Sequence, residues 1–262
     1  MSVLAVSLRL LRALPPGLAC AASRSIVFSY LLVSPRVRRE IRRNHARLTG
    51  KPGRGFWLRQ AWCVGENLAF MVRAGAPELQ KRLDNACIDG ENVLERNMLG
   101  DGKVVVLSLH YGVWELLPAI FARRGYPVCV GSGHQPDAQF GAELGQLRSG
   151  QGITFTSSIF EMRQALASRS LVGFVIDNTR LTQGERCDAM WPGFEVLRTP
   201  FTLARQSGAS LVPMLTRQDS GRVSVKIGEP VATAEQFGAW ARRELAQSPA
   251  DWVLWGKREA RA

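Results

Sequence analysis

The chain has 262 residues, 46% of them hydrophobic, enough for one large core, and carries a formal charge of +12. Its five cysteines, Cys20, Cys63, Cys87, Cys129 and Cys187, show neither C-x-x-C spacing nor a compact framework, which excludes a disulfide scaffold and a structural zinc and indicates buried thiols in a reducing compartment. An evenly basic protein is excluded too: residues 1–60 hold twelve Lys and Arg against one acid, Glu40, so that segment is +11 and the other 202 residues sum to +1.

Charge gathered at one end points to an anionic surface met by that end. Residues 13–35 carry a single charge, Arg24, among Leu14, Leu18, Ile26, Val27, Phe28, Tyr30, Leu31, Leu32 and Val33. An arginine near the middle of a spanning helix costs about 2.5–3.5 kcal/mol, and Pro15, Pro16 and Gly17 interrupt the run. Helices lying in the membrane interface are therefore expected, with the arginines of 36–47 reaching phosphates. Two other readings compete: a secretory signal, with Leu-Ala-Cys-Ala-Ala-Ser at 18–23 as its cleavage site, and a solvated basic helix beside ordinary core helices.

Further along, SPRVRREIRRNHARL alternates basic and apolar residues at helical spacing until Thr49-Gly50-Lys51-Pro52-Gly53 ends it. Residues 55–75 read as a long amphipathic helix. From about 86, β-rich runs alternate with helical ones. Strands are predicted at 86–88, 103–109, 127–131, 171–176, 210–216 and 222–228, and helices at 90–98, 112–123, 137–147, 159–168, 198–207 and 233–246. Runs such as KVVVLSL and SLVGFVI are apolar on both faces, as in a sheet covered on both sides. The expected class is α/β: a mostly parallel central sheet flanked by helices, with residues 1–50 as membrane-associating helices and 51–262 as the catalytic domain.

His110 ends the strongest β-forming run and is followed at once by the helical pattern YGVWELLPAIFARR. Carboxyl ends of strands are where open α/β sheets place ligands. Glu115, five residues on, can fold back beneath the ring through a turn eased by Gly112, fixing the tautomer so that the other nitrogen takes a proton from an alcohol. The spacing alone is weak, and a core histidine beside a helix-start glutamate satisfies it equally. Asp177 ends another strand and either positions an acceptor or caps a turn. Arg180, Arg198 and Arg205 are candidate donors to a developing oxyanion, though arginines are mostly surface residues. Ser108 precedes His110 by two, but no G-x-S-x-G elbow exists, which disfavours a serine hydrolase. No His/Cys cluster or Gly-rich phosphate loop suggests a metal or nucleotide cofactor.

SLHYGVWELLPA at 108–119 resembles the His-x-x-x-x-Glu signature of the bacterial lipid A late acyltransferases, the lauroyl and myristoyl transferases of the lysophospholipid acyltransferase superfamily. RREIRRNHARL at 38–48 resembles that family's basic helix, GFVIDNT at 173–179 its strand ending in an aspartate, RTPFTLARQSGASLVPMLTR at 198–217 its Thr-rich helix and following strand, and DWVLWGKRE at 251–259 its C-terminal ending. The resemblance covers roughly 25–259. It departs at GSGHQPDAQ, 131–139, where Gln135 stands in place of an arginine, and between Asp177 and Trp191, where the Tyr-Gly pattern is absent.

What the resemblance implies is transfer of an acyl chain from acyl carrier protein or acyl-CoA to a hydroxyl of a glycolipid such as a lipid A precursor. The reaction would run at the cytoplasmic face of the bacterial inner membrane, with His110 as general base and Glu115 orienting it. A relative acting on another lipid or metabolite, or one that has lost activity, fits the departures. A non-enzymatic basic module for anionic lipid or nucleic acid is the other class. For nucleic acid, aromatics interleaved with basic residues on a sheet face are expected and not found.

Overall fold

The computed structural model describes residues 3–73, 75–100, 102–132, 152–179 and 184–253. Four helices come first: α1 (Val3–Ala13), α2 (Pro16–Val33), α3 (Pro35–Thr49) and α4 (Phe56–Val72). Each of the breaks foreseen between them is where the sequence puts it. Pro16 and Pro35 open α2 and α3 at positions whose backbone N–H has no helical partner in any case, and Gly50 closes α3 in the left-handed conformation.

Then follow α5 (Pro77–Asp84), β1 (Cys87–Asp89), α6 (Glu91–Met98), β2 (Val104–Ser108), a 3-10 turn (Trp114–Leu116), α7 (Leu117–Arg123), β3 (Val128–Gly131), β4 (Ile153–Thr156), α8 (Ile159–Ala167) and β5 (Leu171–Val175). After the hairpin of β6 (Gly184–Arg186) and β7 (Glu195–Leu197) come α9 (Thr199–Ser207), β8 (Ser210–Asp219), β9 (Arg222–Ile227), α10 (Ala234–Gln247) and a final 3-10 turn (Pro249–Asp251). Helix α5, strand β4 and the β6–β7 hairpin were not foreseen. The helix expected at 137–147 lies outside the described residues.

Seven strands form one sheet in the order β1-β9-β8-β2-β5-β3-β4. Every neighbouring pair is parallel except β8 with β9. The fold is thus α/β with a mostly parallel sheet flanked by helices. Alternation along β2 explains how both faces are filled: Val105, Leu107 and Leu109 enter one core with residues of α3, α8, α9 and α10, while Val104 and Val106 enter a second with residues of α5, α6 and α7. Helix α4 serves both, its first half (Phe56, Ala61) in one core and Leu68, Phe70 and Met71 in the other.

Helix α2 is long and apolar enough to cross a membrane. It packs along α4 through small residues, Ala19 and Ser23 being buried, and the approach is close: a Cβ on Gly65 of α4 would lie 2.5 Å from the Arg24 Cα. Arg24 is turned into this contact rather than outward. Its guanidinium pairs with Glu66 at 2.6 Å and lies over the Trp62 ring at 3.6 Å from the centroid. The expected cost of a mid-helix arginine is therefore offset by a carboxylate and a ring face on the neighbouring helix. Leu18, Ile26, Tyr30, Leu32 and Val33 of α2 are left exposed, with Leu10 of α1 and Leu58 and Trp62 of α4. That is a large apolar surface for a chain in water.

Candidate active site

Strands β2 and β5 lie side by side in parallel, with Ser108 paired to Val175. His110 and Asp177 each follow two residues later, so the register carries both to the same point beyond the carboxyl edge. There the Asp177 carboxylate is wholly buried and takes hydrogen bonds from His110 and Trp252. His110 Nδ1 sits 2.6 Å from Oδ1, the His110 backbone N–H donates to Oδ2 at 3.0 Å, and the Trp252 indole N–H donates to Oδ2 at 2.7 Å.

Burial alone would raise the Asp177 pKa. The charge of His110 and the hydrogen bonds from the His110 ring, the Trp252 indole and the His110 backbone outweigh it and hold the carboxyl below its usual range. An ionised carboxylate only accepts, so Nδ1 carries the proton, and when the ring gives up its second proton the lone pair is left on Nε2. The His110 side chain is 25% exposed, which leaves the ring reachable from the cleft.

Glu115 was expected in the place that Asp177 occupies. It lies half-buried in the 3-10 turn Trp114–Leu116, while the carboxylate seated on Nδ1 comes from the neighbouring strand. The physical reason is that a parallel register fixes two strand ends rigidly against each other, whereas a five-residue stretch must turn back on itself. The residue expected to position an acceptor or cap a turn is thus the one whose carboxylate lies against the imidazole.

The loop carrying His110 is held by the chain's late segment. Val253 N–H donates to the His110 carbonyl at 2.9 Å and Gly112 N–H to the Asp251 carbonyl at 3.0 Å. Gly112 has φ +58°, and a Cβ there would meet the Thr216 carbonyl oxygen at 1.9 Å, so no other residue fits this turn. Asp251 is buried but compensated by Ser248 Oγ at 2.7 Å, Asn67 Nδ2 at 3.2 Å and Arg217 Nε at 3.6 Å. Gln60 of α4 donates to the Trp252 carbonyl at 2.9 Å. The apolar helix α2 therefore connects to the histidine through α4, the 249–253 turn and Asp177.

Trp252 was missed as a site residue. The available signal was the apolar, Trp-containing run at 252–255, together with Gln60 and Asn67 seven positions apart on the buried face of α4.

Beside His110 an apolar groove runs between α7 and the sheet. The Trp114 ring meets the imidazole edge-on at 5.2 Å and lines the groove, which continues past Ser108 and Gly173 to Phe121 and Leu171. From Val175 to Leu171 this is four strand steps, roughly 13 Å. Its open volume is only about 40 Å³, so the α7 side chains must part to admit more than a few carbons.

Arg198 and Arg205 are brought together elsewhere. They line a cleft of about 870 Å³ along α9 with Ser210 and Leu211, and Phe201 and Ala204 of that helix belong to the core on the other face of the sheet from the groove. Arg180 and Gln135 lie outside the described residues. A second cleft, about 810 Å³, is lined by Arg36, Arg39, Arg42, Arg43 and Arg54, with Glu40, which pairs with Arg43, as the acid among them.

No family model matches the sequence, and no curated protein matches it. Among solved structures, the 1-acyl-sn-glycerophosphate (LPA) acyltransferase PlsC from Thermotoga maritima is similar at a TM-score of 0.36 and 12% identity, over 94% of this chain and 100% of that one. At that similarity its chemistry is not carried across.

Proposed function

We propose that the chain is a membrane-associated O-acyltransferase in which His110, oriented by Asp177, takes the proton of an acceptor hydroxyl as that oxygen attacks an acyl thioester. The observation that carries this reading is the contact of 2.6 Å between His110 Nδ1 and a buried, ionised Asp177, with the His110 ring against Trp114, a lining residue of an apolar groove. A base held in one tautomer beside an apolar channel suits a reaction between a hydroxyl and a fatty acyl group. The exposed apolar face of α1, α2 and α4 and the basic cleft of α3 suit a site working at an anionic bilayer.

The resemblance of SLHYGVWELLPA to the lipid A late acyltransferases supports a glycolipid acceptor and a donor on acyl carrier protein or coenzyme A, at the cytoplasmic face of the inner membrane. Glu115 is then a second carboxylate of the site, while Arg198 and Arg205, in the separate cleft along α9, would hold only an anionic part of a substrate remote from the reacting carbon. The test is consumption of a long-chain acyl thioester by purified protein supplied with bacterial membrane glycolipids, with the product identified by mass spectrometry. Turnover by His110→Ala at the wild-type rate would remove the base from the scheme.

A further inference from the structure

Ser108 is the last residue of β2 and is 3% exposed, and its hydroxyl oxygen has no hydrogen-bond partner among the described residues. A buried hydroxyl left unsatisfied weakens a fold, and a valine would fit the rest of this strand. The hydroxyl is also placed where chemistry could use it. Ser108 lines the apolar groove together with Trp114 and Val175, two residues before His110, and Trp114 in turn meets the His110 ring. Among the described residues lining the groove it is the one hydroxyl, the rest being apolar side chains, a glycine and the Trp114 indole.

We propose that the Ser108 hydroxyl donates a hydrogen bond to the carbonyl oxygen of the acyl thioester, holding the reacting carbon at the groove mouth and stabilising the oxyanion. This rests on the acyltransferase reading. The acceptor oxygen bonds to the carbonyl carbon while its proton passes to His110 Nε2, and the π electron pair moves to the carbonyl oxygen, where the Ser108 O–H meets it. Collapse re-forms the carbonyl and breaks the carbon–sulfur bond, and the departing thiolate takes the proton from His110. Ser108 keeps its own proton throughout and forms no ester. A donor that strengthens as charge develops lowers the barrier more than it tightens binding.

The experiment compares wild type, Ser108→Ala and Ser108→Thr with a long-chain acyl-CoA as donor and membrane glycolipid as acceptor, alongside their thermal midpoints. Ser108→Ala is expected to lose roughly 10²-fold in kcat with KM little changed. Its midpoint should be equal or higher, because an unsatisfied group has been removed. Ser108→Thr, which keeps the hydroxyl on a β-favouring residue, should recover most of the rate. An alanine variant as fast as wild type, or a threonine variant as slow as alanine with an unchanged midpoint, would overturn the assignment, as would an acyl-Ser108 peptide in the mass spectrum. If wild type itself consumes no thioester, the acyltransferase reading falls and this assignment with it; wild-type turnover with an undiminished alanine variant removes Ser108 alone.

Discussion

His110 and Asp177 occupy equivalent places on adjacent parallel strands, each two residues past the Ser108–Val175 pair, and their side chains meet at 2.6 Å. A carboxylate fixed in this way sets both the tautomer and the direction of the imidazole. His110→Ala should reduce thioester turnover by roughly 10²–10⁴-fold. Asp177→Asn should come close to it, since an amide no longer favours the same tautomer. Glu115→Gln should cost less than either, and steady-state rates of the three variants decide the order.

Acid should act on the same pair. The Asp177 pKa is depressed in the fold, so its contribution to stability is fully present above the unfolded carboxyl value near 3.9 and is lost as pH falls through the lower folded value. The gap in unfolding free energy between wild type and Asp177→Asn should be present near pH 5 and close as pH falls below about 4. Urea titrations at a series of pH values measure it. A gap that persisted undiminished well below pH 4 would contradict the assigned direction.

Much of this was legible in advance, and the exceptions share a cause. The strand ending at His110 shows in the sequence because Val104 to Leu109 are apolar on both faces, a local pattern. Asp177 as the partner does not show, because 67 positions separate it from His110 and only the strand order, with β5 beside β2, brings them together. Trp252 is further still, 75 positions from Asp177. Local spacing favoured Glu115, whereas lateral register gave the contact. Helix α5 and strand β4 escaped notice because each is short and carries few apolar positions to set a period.

Gly173 faces open space, a Cβ there meeting no atom within 4 Å, and it lines the groove below Ser108. Gly173→Leu should leave the fold intact and shorten the acyl chain the protein accepts. Product analysis with a mixture of donors from eight to sixteen carbons, on the order of the groove's length, would show the shift. An unchanged chain profile would mean that the acyl group lies elsewhere.

At Gly65 no side chain can be added without moving backbone, because the obstructing atoms are the Arg24 Cα and N. Gly65→Leu should destabilise the α2–α4 contact by about 1–3 kcal/mol. Thermal unfolding and limited proteolysis between α2 and α4 would register it.

Five arginines line the cleft at α3, and each basic group near an anionic surface is worth about 1 kcal/mol at low salt. Reversing Arg36, Arg39 and Arg43 to glutamate should weaken binding to vesicles containing phosphatidylglycerol and leave binding to neutral vesicles unchanged. Equal losses on both would assign the effect to folding.

The turn at 249–253, which pins both the His110 loop and the Asp177 carboxylate, leaves the ribosome long after α1 and α2 have emerged. A nascent chain thus displays the exposed apolar side chains of α1 and α2 while the imidazole is still unsupported. A messenger truncated before codon 252 would yield a protein without the indole and the Val253 amide on which the His110 loop and the Asp177 carboxylate rest.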